Sequence, residues 1–373
     1  MKNTKDLNIR GVLLNKEQLK SHLENIAIDH TLKEKSDKNT YPIPRLLENF
    51  AYITKTYDML NDHLRLGINV HQAGEWLLDN YYVIEETVKE VRKNLPLKKY
   101  VNFIGISTGK YKGYARNYLL ASEIVAYTEG NFKVKDLEEY LESYQNKKTL
   151  NMDEIWDINL FFKIALIERI REVCAKIYVS QMQKLKVESI IERLVENKPK
   201  EERKFISQAK ILQSYGENSY AFIEYMSYKL KKYGKKGIAY LNILEEEISK
   251  QGLNLQEVIK KEHFDIALKK VEMGNSIRSM YALQRMNFTE VFERINGVEE
   301  ILRKDPSKIY EKMDYKTKEY YRNRVKEIAE KTKISEIYIA KKALELAILR
   351  KQEYKRKSYW ILSNRWPEYK TYI

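Results

Sequence analysis

The chain has 373 residues, with 68 Lys and Arg against 53 Asp and Glu, and a formal net charge of +15. That length is about two domains' worth and ample for a sizeable core, while 13 Gly and 6 Pro imply few turns and long helices. A single cysteine, Cys174, excludes an internal disulfide and a cysteine metal cluster and fits a reducing compartment.

Met1 to Arg10 is polar and expected to fray, and MKNTKDLNIRGVLL carries neither the apolar core nor the small-residue cleavage site of an export signal. Asn15 to Thr31 places Leu19, Leu23, Ile26 and Ala27 at helical spacing, and a charged stretch to Asn39 reads as a linker, so residues 1–39 form an N-terminal helix and linker. A helical core domain is expected over 40–197. In YPIPRLLENF two prolines fix an extended entry to a helix over Arg45 to Arg65. After Gly67, Asn69 and Gln72 make a capping pair, and Trp76, Leu77, Tyr81, Ile84, Val88 and Val91 form an apolar stripe that Pro96 ends. From Leu97 to Gly113 the period is lost, and VNFIGISTGKYKG reads as a short extended piece with a glycine loop. Helices resume over Tyr114 to Tyr127 and Val134 to Tyr144.

The centre of the chain is Thr149 to Tyr178. Asn151 and Glu154 make a capping box, and from Ile155 to Ile167 the residues Ile155, Trp156, Ile158, Leu160, Phe161, Phe162, Ile164, Ala165 and Leu166 leave no polar face for two turns. A helix apolar all round must be surrounded by protein, and Lys163 keeps the run short of a membrane span. Its second half turns amphipathic, with Ile170, Val173, Cys174 and Ile177 on one stripe.

A second helical region is expected over 198–357. Between Lys198 and Lys236 basic residues number ten and acidic ones four, with Tyr215, Tyr220, Tyr225, Tyr228 and Tyr233 interleaved. Such a segment is the best candidate for a polyanion-binding face, although an amphipathic helix pair with solvated lysines has the same spacing and is preferred. Capping pairs at Asn254 with Glu257 and Asn287 with Glu290 open two helices, Asp305 with Pro306 closes the second, and Tyr315 to Glu330 and Ser335 to Lys357 complete the series. Period-two alternation is too short for a sheet, and the class is all-α, a multi-helix bundle or array with no sizeable β-sheet. Residues 358–373 close the chain as a basic, aromatic tail, SYWILSNRWPEYKTYI, in which Trp360, Trp366, Tyr369 and Tyr372 follow the basic run of Arg350, Lys351, Lys355, Arg356 and Lys357. Basic residues followed by amphipathic aromatics resemble a juxtamembrane segment on the cytoplasmic side.

Chemistry is sparse. Gly105-Ile106-Ser107-Thr108-Gly109 matches G-x-S-x-G, but no parallel-sheet pattern supports a nucleophile elbow at Ser107. Glu75 with Asp79 and Asp153 with Asp157 share helix faces and could serve glycosidase chemistry, or be first-turn acids. His22, His30, His63, His71 and His263 show no H-x-x-x-H, and neither D-x-D nor a P-loop motif occurs, so no metal, cofactor or catalytic residue is assigned.

Several long strings resemble one family. AGEWLLDNYYVIEETVKEVRKNLP, YARNYLLASEIVAYTEG, LEEYLESYQNKKTLNMDEIWDINLFFKIALIERIREV and GNSIRSMYALQRMNFTEVFERINGVEEILRKDPSKIYEKMDYKTKEYYRNRVKEIA, with YPIPRLLEN and VLLNKEQLKSHLENIAIDH more loosely, are similar to the N-terminal region of cyclic β-1,2-glucan synthases. The likeness spans most of Asn8 to Lys357 and is weakest between Gln181 and Lys260. It implies a region that precedes membrane spans and a glucosyltransferase domain using UDP-glucose, followed by domains that cyclise and trim the glucan. The family's Q-x-x-R-W signature has no full counterpart, since SNRW follows Leu362 where glutamine is needed.

The expectation is therefore a non-catalytic helical accessory region of such a synthase, on the cytoplasmic side of the inner membrane. Its partners would be the membrane and transferase portions of the synthase, an anionic lipid surface through Arg350, Lys351, Lys355, Arg356 and Lys357, and β-1,2-glucan. The rivals are a helical β-glucan hydrolase using a pair such as Glu75 and Asp153, and a basic nucleic-acid-binding protein.

Overall fold

A computed structural model describes residue 9 and residues 12–195, 220–250 and 252–353; the side chains of residues 195 and 350–353 also lie outside the description. Among the described residues there are fourteen α-helices and one two-stranded antiparallel sheet, so the chain is all-α.

The spine is a single helix, α7 (Met152–Val195), whose 44 residues span about 66 Å. It opens as the sequence requires: Asn151 Oδ1 accepts from the Glu154 amide at 2.8 Å, and Glu154 returns to the Asn151 amide at 2.9 Å. Ile155, Ile158, Phe161, Phe162, Ile164, Leu166, Ile167, Ile170, Val173 and Cys174 are all buried. Trp156 departs from the expected all-round burial. It is 41% exposed and stands edge-on to Phe288 and Phe292.

Three long helices run along this spine. α2 (Ile43–Arg65) lies parallel to it, tied by Arg45 to Glu168 at 2.8 Å near one end and by His63 to Gln181 at 3.2 Å near the other. α3 (Gln72–Asn94) is antiparallel, since Lys163 reaches Glu90 at 2.6 Å and Lys184 reaches the Asn69 carbonyl at 3.0 Å. α10 (Leu255–Arg285) is also antiparallel, through Lys269 to Ser180 at 2.9 Å and Lys176 to Glu272 at 3.0 Å. α5 (Arg116–Tyr127) buries its inner face on the first half of α7, and α1 (Lys16–Asp29) with α6 (Val134–Gln145) forms an outer layer held by Lys16 to Asp136 and Glu139.

Several local expectations change. α2 starts at Ile43, ahead of Arg45, because Pro44 fits the first turn of a helix as well as an extended entry. Asn69 does not cap α3. His71 is its N-cap, and the Asn69 carbonyl is used by α7. Part of the irregular stretch is a short helix, α4 (Leu97–Tyr100), and the supposed linker contributes β1 (Leu32–Lys33), which pairs with β2 (Gly105–Ile106). The helix expected from Asn287 is broken into α11 (Phe288–Ile295) and α12 (Gly297–Leu302), where Asn296 caps the second by accepting from the Val298 amide. α13 (Tyr315–Thr332) and α14 (Glu336–Glu353) pack beside them.

The apolar interior forms one large cluster from Leu19 to Ala340 and a smaller one at the far end of the spine. The smaller joins Val187, Ile190, Ile191 and Leu194 of α7 to α8 (Tyr220–Lys231), α9 (Gly234–Ser249) and the first turn of α10. Ile177 closes the large cluster and Val187 opens the small one; the α7 residues buried between them are polar: Ser180, Gln181, Gln183 and Lys184.

Candidate functional site

The sequence-level candidates do not converge. Ser107 follows a two-residue antiparallel strand, its amide donates to the Thr31 carbonyl at 2.8 Å, and the next helix begins only at Arg116, so there is no strand-to-helix elbow. Four of the five histidines are occupied elsewhere: His22 with Glu123, His30 with Tyr144, His63 with Gln181, and His263 near Glu224. Glu75 and Asp79 point to solvent on α3, Asp153 pairs with Lys326, and Asp157 pairs with Lys99 at 2.7 Å. Glu75 and Asp153 cannot flank one glycosidic bond. The start of α3 sits beside Lys184, near the far end of α7, while Asp153 lies in the first turn of α7, which separates them by roughly 40 Å against the ~5–10 Å that two such carboxylates need. Among the described residues no group of His, Cys, Asp and Glu could hold a metal ion. Tyr215 and the basic tail from Lys355 onward lie outside the described residues, as do the side chains of Arg350 and Lys351.

Several perturbed ionisable groups gather instead at the polar belt of α7. The first turn of α3, the belt and the middle of α10 enclose a cavity of about 10 Å³ lined by His71, Ala73, Ile177, Ser180, Gln181, Ile266 and Lys269. One water fills such a space, and a sugar ring does not enter it. Burial pushes His71 down to about 3, with the charges of Lys184, Lys269 and His263 acting in the same direction. Burial likewise lowers Lys184 to about 8 and raises Glu262 to about 7. The Nε2 atom of His71 and the Oε1 atom of Glu262 have no hydrogen-bond partner among the described residues. The belt can hold or release a proton, but it has neither the room nor a paired nucleophile and base for bond-making. Lys184, Glu262 and Lys269 escaped notice because charged residues on a helix ordinarily mark its solvent face. Their signal was spacing, since Glu262 and Lys269 share the inward stripe of Val258, Met273, Ser276 and Met280.

Three further charge clusters are braces. At the start of α7, Arg116 Nε donates to Glu154 at 2.9 Å with a second, shorter bond beside it, and both residues are fully buried. Tyr144 lies under the Arg116 guanidinium and bonds His30, whose pKa falls to about 4 through burial and the charges of Arg116 and Lys148. Glu336 accepts from the Met152 amide at 2.8 Å, and burial raises it to about 7. Glu168 holds Arg45 and Tyr118 midway along the spine. Glu299 accepts from Tyr310, Arg322 and Arg303 at 2.7 to 3.0 Å; burial pushes its pKa up, and these bonds outweigh that and leave it lowered.

No protein-family model matches the chain. Among curated proteins, the cyclic beta-(1,2)-glucan synthase NdvB of Rhizobium meliloti (strain 1021) is 24% identical over 300 residues, which is 80% of this chain and 10% of that protein. The chain thus spans about a tenth of the relative's length and is similar to a region of that synthase, in agreement with the resemblance carried by its long strings.

Proposed function

We propose that the chain is a helical accessory region of a cyclic β-1,2-glucan synthase, acting by packing and positioning beside a UDP-glucose-dependent transferase. The similarity over 80% of the chain to one stretch of NdvB is the observation that carries this reading. Two features of the fold support it. Buried charges such as Arg116 with Glu154 and Arg322 with Glu299 brace helix to helix, and the Glu75 and Asp153 pair weighed for a hydrolase is split between opposite halves of α7.

In this reading the partners are the membrane and transferase portions of the synthase, on the cytoplasmic side of the inner membrane. The basic residues Arg350, Lys351, Lys355, Arg356 and Lys357 would face anionic lipid, and β-1,2-glucan would be held by contact without being cut. Among the described residues no helix is long and apolar enough to cross a membrane.

Purified chain incubated with radiolabelled UDP-glucose, without membranes, is expected to form no β-1,2-glucan. Glucan formed under those conditions, and lost on substitution of a belt residue such as Glu262→Gln, would assign bond-making to this chain and overturn the accessory role.

A further inference from the structure

The hairpin of α8 and α9 presents a surface that packing does not account for. Its inner side is ordinary: Phe222, Met226 and Leu230 of α8 and Leu244 and Ile248 of α9 close the small cluster against Val187, Ile191 and Leu194. Lys229 clamps the hairpin to the spine through Glu188 at 2.6 Å, and Tyr225 donates to the same carboxylate at 2.5 Å. Gly234, at φ 60°, turns the chain between the helices, and Gly237 lets the start of α9 close against the Leu230 carbonyl, where a Cβ would collide. The tip is therefore held in a fixed orientation.

What the tip displays is one-sided in charge. From Tyr225 to Leu244 the sequence YMSYKLKKYGKKGIAYLNIL contains five lysines and no acid. Lys231, Lys232, Lys235 and Lys236 are exposed at the turn, and Lys232 lies 4.2 Å over the ring of Tyr228. Between them stand apolar groups that a solvated turn does not need: Ile238 is 52% exposed, Tyr228 48% and Tyr233 44%. Behind the turn lies a cavity of about 150 Å³ lined by Ile191, Leu194, Leu230, Tyr233, Lys236, Gly237 and Tyr240. An apolar cavity of that size accommodates a short hydrocarbon segment.

We propose that the α8–α9 tip is a docking surface for an anionic phospholipid bilayer, with its lysines at the headgroups and Tyr228, Tyr233 and Ile238 at the acyl boundary. Charge complementarity selects the partner's sign, and the exposed isoleucine and the apolar cavity select lipid over nucleic acid, whose phosphates would meet lysines alone. Lysines at a membrane surface extend their stems along apolar material while the ammonium groups stay wet, and tyrosine suits the same boundary. The proposal uses none of the residues from Arg350 to Lys357 and stands without the synthase reading, because it rests on the geometry of the hairpin.

Flotation of the full chain with phosphatidylcholine vesicles, with and without phosphatidylglycerol, tests it. Wild type is expected to float with the anionic vesicles only. The triple substitution Lys231→Gln, Lys232→Gln and Lys235→Gln should lower the partition coefficient on the order of a hundredfold, at about 1 kcal/mol for each lysine near the surface. Lys308→Gln, Lys312→Gln and Lys316→Gln removes the same charge from exposed positions elsewhere and should leave binding near wild type, with unchanged helical circular dichroism in both variants. Ile238→Ser should abolish the part of the binding that survives high salt. Failure of wild type to float, equal loss in the two triple variants, undiminished flotation of the hairpin variant, or a need for these lysines in binding duplex DNA but not vesicles would each overturn the proposal.

Discussion

Arg116 and Glu154 show what a buried charge does in this chain. Glu154 serves twice, as partner to a fully buried guanidinium and as the returning half of the box that opens α7. Arg116→Met leaves the carboxylate buried without its partner and should cost about 3–5 kcal/mol in urea unfolding. Adding Glu154→Gln keeps a side chain that can close the box and removes the stranded charge, so the double variant should regain much of that loss. A double variant as unstable as the two single losses added together would mean that Arg116 and Glu154 act independently and that no stranded charge is relieved.

Glu262 makes a second claim at the same scale. Its folded pKa of about 7 lies above the ordinary 4.5, so its protonated form favours the fold, and that contribution is full below about pH 4.5 and lost as pH rises through 7. The groups facing it include Lys269, Asp265, Glu224 and Lys184. His71 works in the opposite sense. With a folded pKa of about 3 against 6.5, it destabilises the fold as pH falls from about 6.5 toward 3. The stability of Glu262→Gln relative to wild type should therefore grow between pH 4.5 and 7 and be flat above. A difference independent of pH across that window would show that Glu262 is not protonated in the fold.

At the scale of elements, the helices were legible where apolar spacing and a cap coincided. Asn15 with Gln18 and Asn151 with Glu154 form both bonds of the box, and Asn254 caps α10 through the Gln256 amide. Asn69 and Asn287 carry the same letters without a side-chain cap: Lys184 of α7 takes the Asn69 carbonyl and α3 starts later, at His71, while Asn287 stands at the N-cap position but spends its side-chain amide on Glu290 in the first turn of its own helix. The pairing of β1 with β2 was hidden because two residues a side leave no alternation to read. Its trace was Gly105. A Cβ there would stand 2.6 Å from the Lys35 carbonyl oxygen and 3.0 Å from Ser36 Cα, both backbone, so the glycine serves a close approach of two chains. Gly105→Ala should lower stability by about 1–3 kcal/mol, while Ser107→Ala, half-buried at the edge of the same loop, should change thermal unfolding little. A large loss from the serine and none from the glycine would restore the motif to a role beyond backbone geometry.

Over the whole molecule, α7 links two apolar interiors of unequal size through a belt of Ser180, Gln181, Gln183 and Lys184. The belt could not be foreseen from composition, which counts Lys and Glu as surface wherever they fall. A small cluster behind a polar seam has fewer apolar contacts to hold it, so amides of α8 and α9 should exchange hydrogen faster than those of α7 between Ile155 and Ile177. Equal protection across both regions would mean that the molecule opens only as one unit.

The similarity to a stretch of a cyclic β-1,2-glucan synthase is what motivates the proposal that the fold contributes architecture to a transferase. The most direct measurement is the cyclic β-1,2-glucan content of cells whose only copy of this chain carries Ile164→Asp, which puts a charge at a fully buried position in the middle of the spine. Loss of the cyclic glucan, restored by the wild-type chain, is the expected result. Undiminished glucan in cells whose chain has demonstrably unfolded would contradict a role in that synthesis.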